Sequence, residues 1–139
     1  MNTVMPALLR FSGAVERDPA IAKWLDSHAG EPGAIARTWF ECMRRCGTDV
    51  RELMHDGFAT VCVADAPFAY VGVFTAHVNV GFFHGTALPD SAGLLLGTGK
   101  YMRHVKIKPG LAHDDASLEA LIASAYRDIV ARLKVAGPA

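Results

Sequence analysis

The chain has 139 residues, 51% hydrophobic and 20% charged, with 14 basic side chains balanced by 14 acidic ones. That length holds one domain, able to bury roughly two thirds of the surface its unfolded chain exposes, so folding requires neither disulfides nor a metal. A net charge of zero lacks the basic excess by which nucleic-acid binders displace counterions from phosphates, so no nucleic-acid partner is expected.

Residues 1–17 read as a tail or edge segment. Arg10 interrupts their apolar character, and no long apolar stretch follows a basic start, so a signal peptide is not expected. The first helix opens at Asp18, a capping residue, with Pro19 at the first helical position, and ends at Gly30. Ile21, Trp24, Leu25 and His28 share one face of it. A second helix spans about Gly33 to Cys46, with Ile35, Trp39, Cys42, Met43 and Cys46 turned inward. Cys42, Cys46 and Cys62 have neither disulfide-framework nor zinc-site spacing and read as small, core-seeking thiols of a reducing compartment.

The period then changes from helical to alternating. Leu53 to Gly57 reads as a short extended piece, followed by strands over Phe58–Ala64, Phe68–Thr75 and His77–His84. In the last of these, Val78, Val80 and Phe82 fall on one face and His77, Asn79, Gly81 and Phe83 on the other. The connections are too short for helical crossovers, so the strands pair antiparallel. Ala87–Gly99, holding Pro89, Asp90 and three glycines around Leu94-Leu95-Leu96, reads as a loop with one short helical turn. Tyr101–Lys108 is a further strand, with Arg103, Val105 and Ile107 opposite His104 and Lys106. A long closing helix carries Leu118, Leu121, Ile122, Ala125, Tyr126, Ile129, Val130 and Leu133 at helical spacing, capped by Asp114 or Asp115. The expected fold is α+β: an antiparallel sheet of about four to five strands, with two N-terminal helices and one long C-terminal helix packed on it. Residues 18–135 form the single domain and 136–139 a tail. No apolar run reaches the ~20 residues that span a bilayer, so a cytoplasmic protein without a membrane partner is expected.

The stretches His77-Val-Asn-Val-Gly-Phe-Phe-His-Gly85, Leu88-Pro-Asp90 and Gly97-Thr-Gly-Lys-Tyr-Met-Arg-His-Val-Lys106 resemble the signature of the YdhG-like family, domain of unknown function 1801. Asp49–Asp65 and the closing helix resemble it too, so the likeness covers about Pro19 to Leu133. It implies a compact bacterial α+β fold around an antiparallel sheet, without an established enzyme activity. Parts of that family have been linked with frataxin-like iron handling, which relies on a dense surface of acidic oxygen ligands. In this chain the acids are dispersed, and Asp49, Glu52 and Asp56, along with Asp114 and Asp115, are the nearest approach to such a patch.

Gly97-Thr98-Gly99-Lys100 departs from the Walker phosphate loop, with Leu94 at the leading glycine position and Tyr101 after the lysine. It reads as a tight turn or as an anion-binding turn backed by Lys100, Arg103 and Lys106. His77, Asn79, His104 and Lys106 meet as a polar patch if their strands are neighbours. The patch reads either as a solvated sheet face or as a site for an anion, a metal or a proton-transfer substrate. His84 and His28 read as structural. Phe68, Tyr70, Phe74, Phe82 and Phe83 are expected to be mostly core.

The expectation is a binding or accessory module for a small anionic ligand or metal, through His77, Asn79, Lys100, Arg103, His104 and Lys106. No dedicated metal centre is expected, His77, His104 and His55 being the nearest candidates, and no cofactor is identified. The alternatives are an acid/base enzyme using the same histidines, a protein-interaction module and frataxin-like iron handling. A homodimer stays open.

Overall fold

The computed structural model describes residues 7–137; Met1–Pro6 of the expected N-terminal segment, and the last two residues, lie outside them. The elements are α1 (Pro19–Asp26), α2 (Gly30–Arg44), β1 (Val50–His55), β2 (Phe58–Val63), β3 (Ala66–Val73), β4 (Val78–Phe82), a 3-10 turn (Gly85–Ala87), β5 (Arg103–Ile107) and α3 (Asp115–Ala136). The strands form one antiparallel meander in the order β1-β2-β3-β4-β5. The fold is therefore the expected α+β arrangement, with two helices before the sheet and a long one after it.

Local chemistry accounts for the punctuation. Asp18 accepts a hydrogen bond from the Ala20 amide and Pro19 opens α1. Asp114 does the same for α3, accepting from the Ser117 amide and hydroxyl. Asp56 and Gly57, at φ 49° and 81°, form the two-residue turn joining β1 to β2. Both positions lie in the left-handed region that Asp-Gly hairpins favour.

Several boundaries differ from the pattern-based expectation; α1 stops at Asp26, short of Gly30, and β3 starts at Ala66, two residues early. The extended piece before the first turn is a full strand, β1, because Val50 pairs with Val63 and Glu52 with Val61. Helix α2 starts at Gly30, three residues early. The helical turn falls at Gly85–Ala87, whereas Leu96 makes a two-bond antiparallel bridge to His104. Leu94-Leu95-Leu96 therefore runs towards the edge of β5 instead of coiling, anchored by Asp90, whose carboxylate accepts from the Leu94 and Leu95 amides.

The helices cover one face of the sheet. Val61, Val71, Val80 and Val105 meet there with Ile21, Phe40, Met43, Ile122 and Ile129, and each side chain fully buried contributes ~1.5–3 kcal/mol. Glu52 lies on this face at 1% exposure. Its carboxylate takes two bonds from the Arg44 guanidinium, at 2.8 Å each, and one from the Asp18 amide at 3.2 Å. This satisfied charge ties α1, α2 and β1 together.

On the opposite face, Leu53, Thr60, Cys62 and Phe83 are also buried. Phe11 stacks on His55 and meets the edge of Phe83. The N-terminal segment is bonded to the sheet through Phe11 to Asp65 and Val15 to Glu52. Over β4 and β5 the face carries polar side chains.

Candidate functional site

Strand register places the candidate residues in two adjacent rows across the helix-free face. One row runs Phe58, Gly72, Asn79, Lys106; the next runs Thr60, Tyr70, Gly81, His104. Side chains alternate along a strand, so both rows point away from the helices. The pairing Asn79↔Lys106 and Gly81↔His104 joins the two pairs recognised in the sequence. His77 lies just before β4, its ring stacked on Phe74 at 4.7 Å and 11°.

The two glycines give these rows their shape. A side chain on Gly81 would begin 1.9 Å from the Tyr70 ring, and one on Gly72 would begin 2.7 Å from the Phe58 ring. Each ring therefore leans over the glycine of the next strand, a close approach only a residue without a Cβ permits. The Tyr70 hydroxyl stands 2.5 Å from that missing Gly81 atom, one strand from His104. Phe58 and Tyr70 stack at 5.1 Å, Tyr70 meets the edge of Phe83, and Phe74 closes the group beside Phe58. Tyr70 and Phe74 thus belong to this face; Phe68 and Phe82 are core, and Phe83 is buried beneath the N-terminal segment. A glycine in each of two adjacent strands was the sequence signal for such close contacts.

The electrostatics are one-sided. Burial, then the charges of Lys106 and His77, hold His104 below its ordinary pKa. Burial followed by Lys106 and Lys108 does the same to His77. Among the described residues, the one histidine–carboxylate pair within 4.0 Å is His55 and Asp56, at 3.3 Å. Asn79 Oδ1 is buried without a hydrogen-bond partner. The arrangement can hold an anion by charge and hydrogen bonding, with two imidazoles available to gain protons as the anion arrives.

The remaining expected ligands separate from this group. Arg103 alternates to the helix side of β5, where its guanidinium donates to the Gly99 and Met102 carbonyls. It braces the loop 99–102. Lys100 is exposed on that loop, its ammonium 5.4 Å from the centre of the Tyr101 ring. His55 is on β1, the edge strand opposite β5 in the sheet order, with its ring stacked on Phe11.

Among the described residues no three His, Cys, Asp or Glu side chains gather as a metal site. Asp49, Glu52 and Asp56 do not form a surface patch either. Asp49 accepts from the Tyr126 hydroxyl, Glu52 is buried under Arg44, and Asp56 is in the hairpin turn. The three cysteines are free thiols, with burial pushing Cys46 up to about 11 and Cys62 to about 12. Those values leave them unreactive as thiolates.

A separate cleft of about 140 Å³ lies between Pro89–Ala92 and Ser117, Ala120, Leu121 and Ser124 of α3; it contains no histidine or basic side chain.

No family model, curated protein or solved structure matches the chain.

Proposed function

We propose that this chain is a binding or accessory module that holds a small anionic ligand on the open face of β4 and β5. The observation that carries this reading is the meeting of Asn79, His104 and Lys106 at adjacent register positions beside His77, with Lys108 near by. Lys106 and the protonating histidines supply charge, and the Asn79 amide supplies directional hydrogen bonding. A metal is the poorer fit, because a cation between the imidazoles meets Lys106 and, among the described residues, finds no third ligand of the usual classes. Acid/base turnover has less support than binding, because neither His77 nor His104 has a carboxylate to orient it. The motifs between His77 and Lys106 support membership of the YdhG-like family, and with it a cytoplasmic location.

Calorimetric titration with inorganic phosphate, at about pH 6 and about pH 8, tests the reading. One saturable site is expected, tighter at the lower pH, because protonated histidines bind an anion better. Lys106→Ala weakens it at both pH values, and His104→Gln removes much of the pH dependence. Absence of saturable binding at either pH, or unchanged affinity in Lys106→Ala, overturns the proposal.

A further inference from the structure

Three features of the same face restrict which anion fits, and this inference rests on the anion-binding reading above. First, Phe74 is 39% exposed although it is a large aromatic side chain. It stacks nearly parallel on His77, so two flat rings form a short stack at the turn between β3 and β4. Second, among the described residues Asn79 Oδ1 is an acceptor with no donor, so this amide keeps hydrogen-bonding capacity that the fold leaves unused. Third, the positive groups gather at one end of the face. Lys106 and Lys108 act on His77, and Lys106 and His77 act on His104.

A bare inorganic anion uses only the third feature. We infer that the ligand is a mononucleotide-type anion: a flat nitrogen heterocycle that continues the Phe74–His77 stack and donates to Asn79, with its phosphate held by Lys106 and the histidines. Ring stacking on an exposed aromatic suits any heterocycle, because each presents a π-face. A single-stranded polymer fits less well. Moving from β4 towards β2, the two rows carry Gly72, Tyr70, Phe58 and Thr60; none of these is a cation to follow a second or third phosphate.

The test compares inorganic phosphate, adenosine, adenosine monophosphate and an eight-nucleotide DNA strand, titrated into the intact chain and read by calorimetry and by backbone amide shifts of β4 and β5. Adenosine monophosphate is the probe because its exocyclic amine offers the donor that Asn79 lacks. It is expected to bind at least tenfold tighter than either phosphate or adenosine. Phe74→Ala, a change at a partly exposed position beside His77, is expected to erase that advantage, lowering adenosine monophosphate affinity well beyond any loss of phosphate affinity. Equal affinity for phosphate and adenosine monophosphate, or an unaffected Phe74→Ala variant, overturns this inference and leaves the anion-binding reading standing. Failure of both phosphate and adenosine monophosphate to bind removes the two together. Tighter binding of the oligonucleotide than of the mononucleotide, with a salt dependence of several released ions, overturns the single-nucleotide assignment in favour of a strand.

Discussion

At Gly81 a single missing methyl group decides how β3 and β4 present themselves. The Tyr70 ring occupies the space where any other residue would begin. Gly81→Ala is expected to destabilise the fold by ~1–3 kcal/mol through overpacking, measured by urea unfolding. In a Tyr70→Ala background the same change costs less, because the opposing ring is gone; purely additive losses would show that the contact is not the cause. Glu52 presents the opposite case, a charge rather than an absence. Glu52→Ala leaves the Arg44 guanidinium without its main partner, and breaking a buried pair of this kind costs about 3–5 kcal/mol. Loss of less than 1 kcal/mol would show that Arg44 reaches solvent or Glu41 at little cost. Neither position betrays its role in composition. The alternation in His77–His84 did place Gly81 on the correct face, but the strand gives no sign of which neighbour leans on it.

At the scale of single elements, the helices were legible because their determinants are local. Asp18 and Asp114 cap α1 and α3 as expected, and the apolar spacing of α3 matches its buried face, Leu118, Leu121, Ile122, Ala125 and Ile129. The Ser117 hydrogen bonds hold the Asp114 carboxyl below the usual carboxylate range. Its contribution to stability is therefore present above the ordinary carboxylate pKa and lost as pH falls through the depressed one. Asp114→Ala should lower the melting temperature near neutral pH, and the gap from wild type should close in strong acid. A gap that persists undiminished at pH 2 would assign the effect to something other than the charged cap. β1 was less legible, because Arg51, Glu52 and His55 interrupt its apolar alternation. Glu52 is tolerated on the buried face only because Arg44 reaches it from another element. The run Leu94-Leu95-Leu96 carried no local mark of its conformation either: three leucines fit a helical turn or an extended edge, and the backbone of His104 selects the second.

For the molecule as a whole, both outer strands are partly covered by single bridges, Val15 on β1 and Leu96 on β5. These interrupt the rows of open backbone groups through which sheets join edge to edge. The pH response also belongs to this scale. Burial, then Arg132, hold His84 below its ordinary value, against the opposing pull of Asp128. His84 Nε2 is buried without a partner, among Phe68, Phe82, Leu88 and Ala125. A histidine whose folded pKa is depressed binds more protons unfolded than folded. Its stabilising contribution is complete above about pH 6.5 and is lost as pH falls through that value towards the depressed one. His77 and His104 act in the same direction. The melting temperature should therefore fall between about pH 7 and pH 5, and His84→Leu should flatten that decline; an unchanged slope would place the proton uptake elsewhere.

By itself the sequence determined the α+β class, the antiparallel pairing, the three helices and the faces of the β4 and β5 residues, because these follow from period, caps and connection length. Tertiary structure decided which of the site residues meet. Pairing of β4 with β5 brings Asn79 to Lys106 and Gly81 to His104; it leaves Arg103 bracing a loop and strands His55 at the far edge. It also drew Tyr70 and Phe74 into the group, from an aromatic run that reads as core. Alternation fixes the side of a strand on which a residue lies, but the distance between residues on different strands depends on register and order. Those are set by the packing of all the elements together and leave no local mark in the chain.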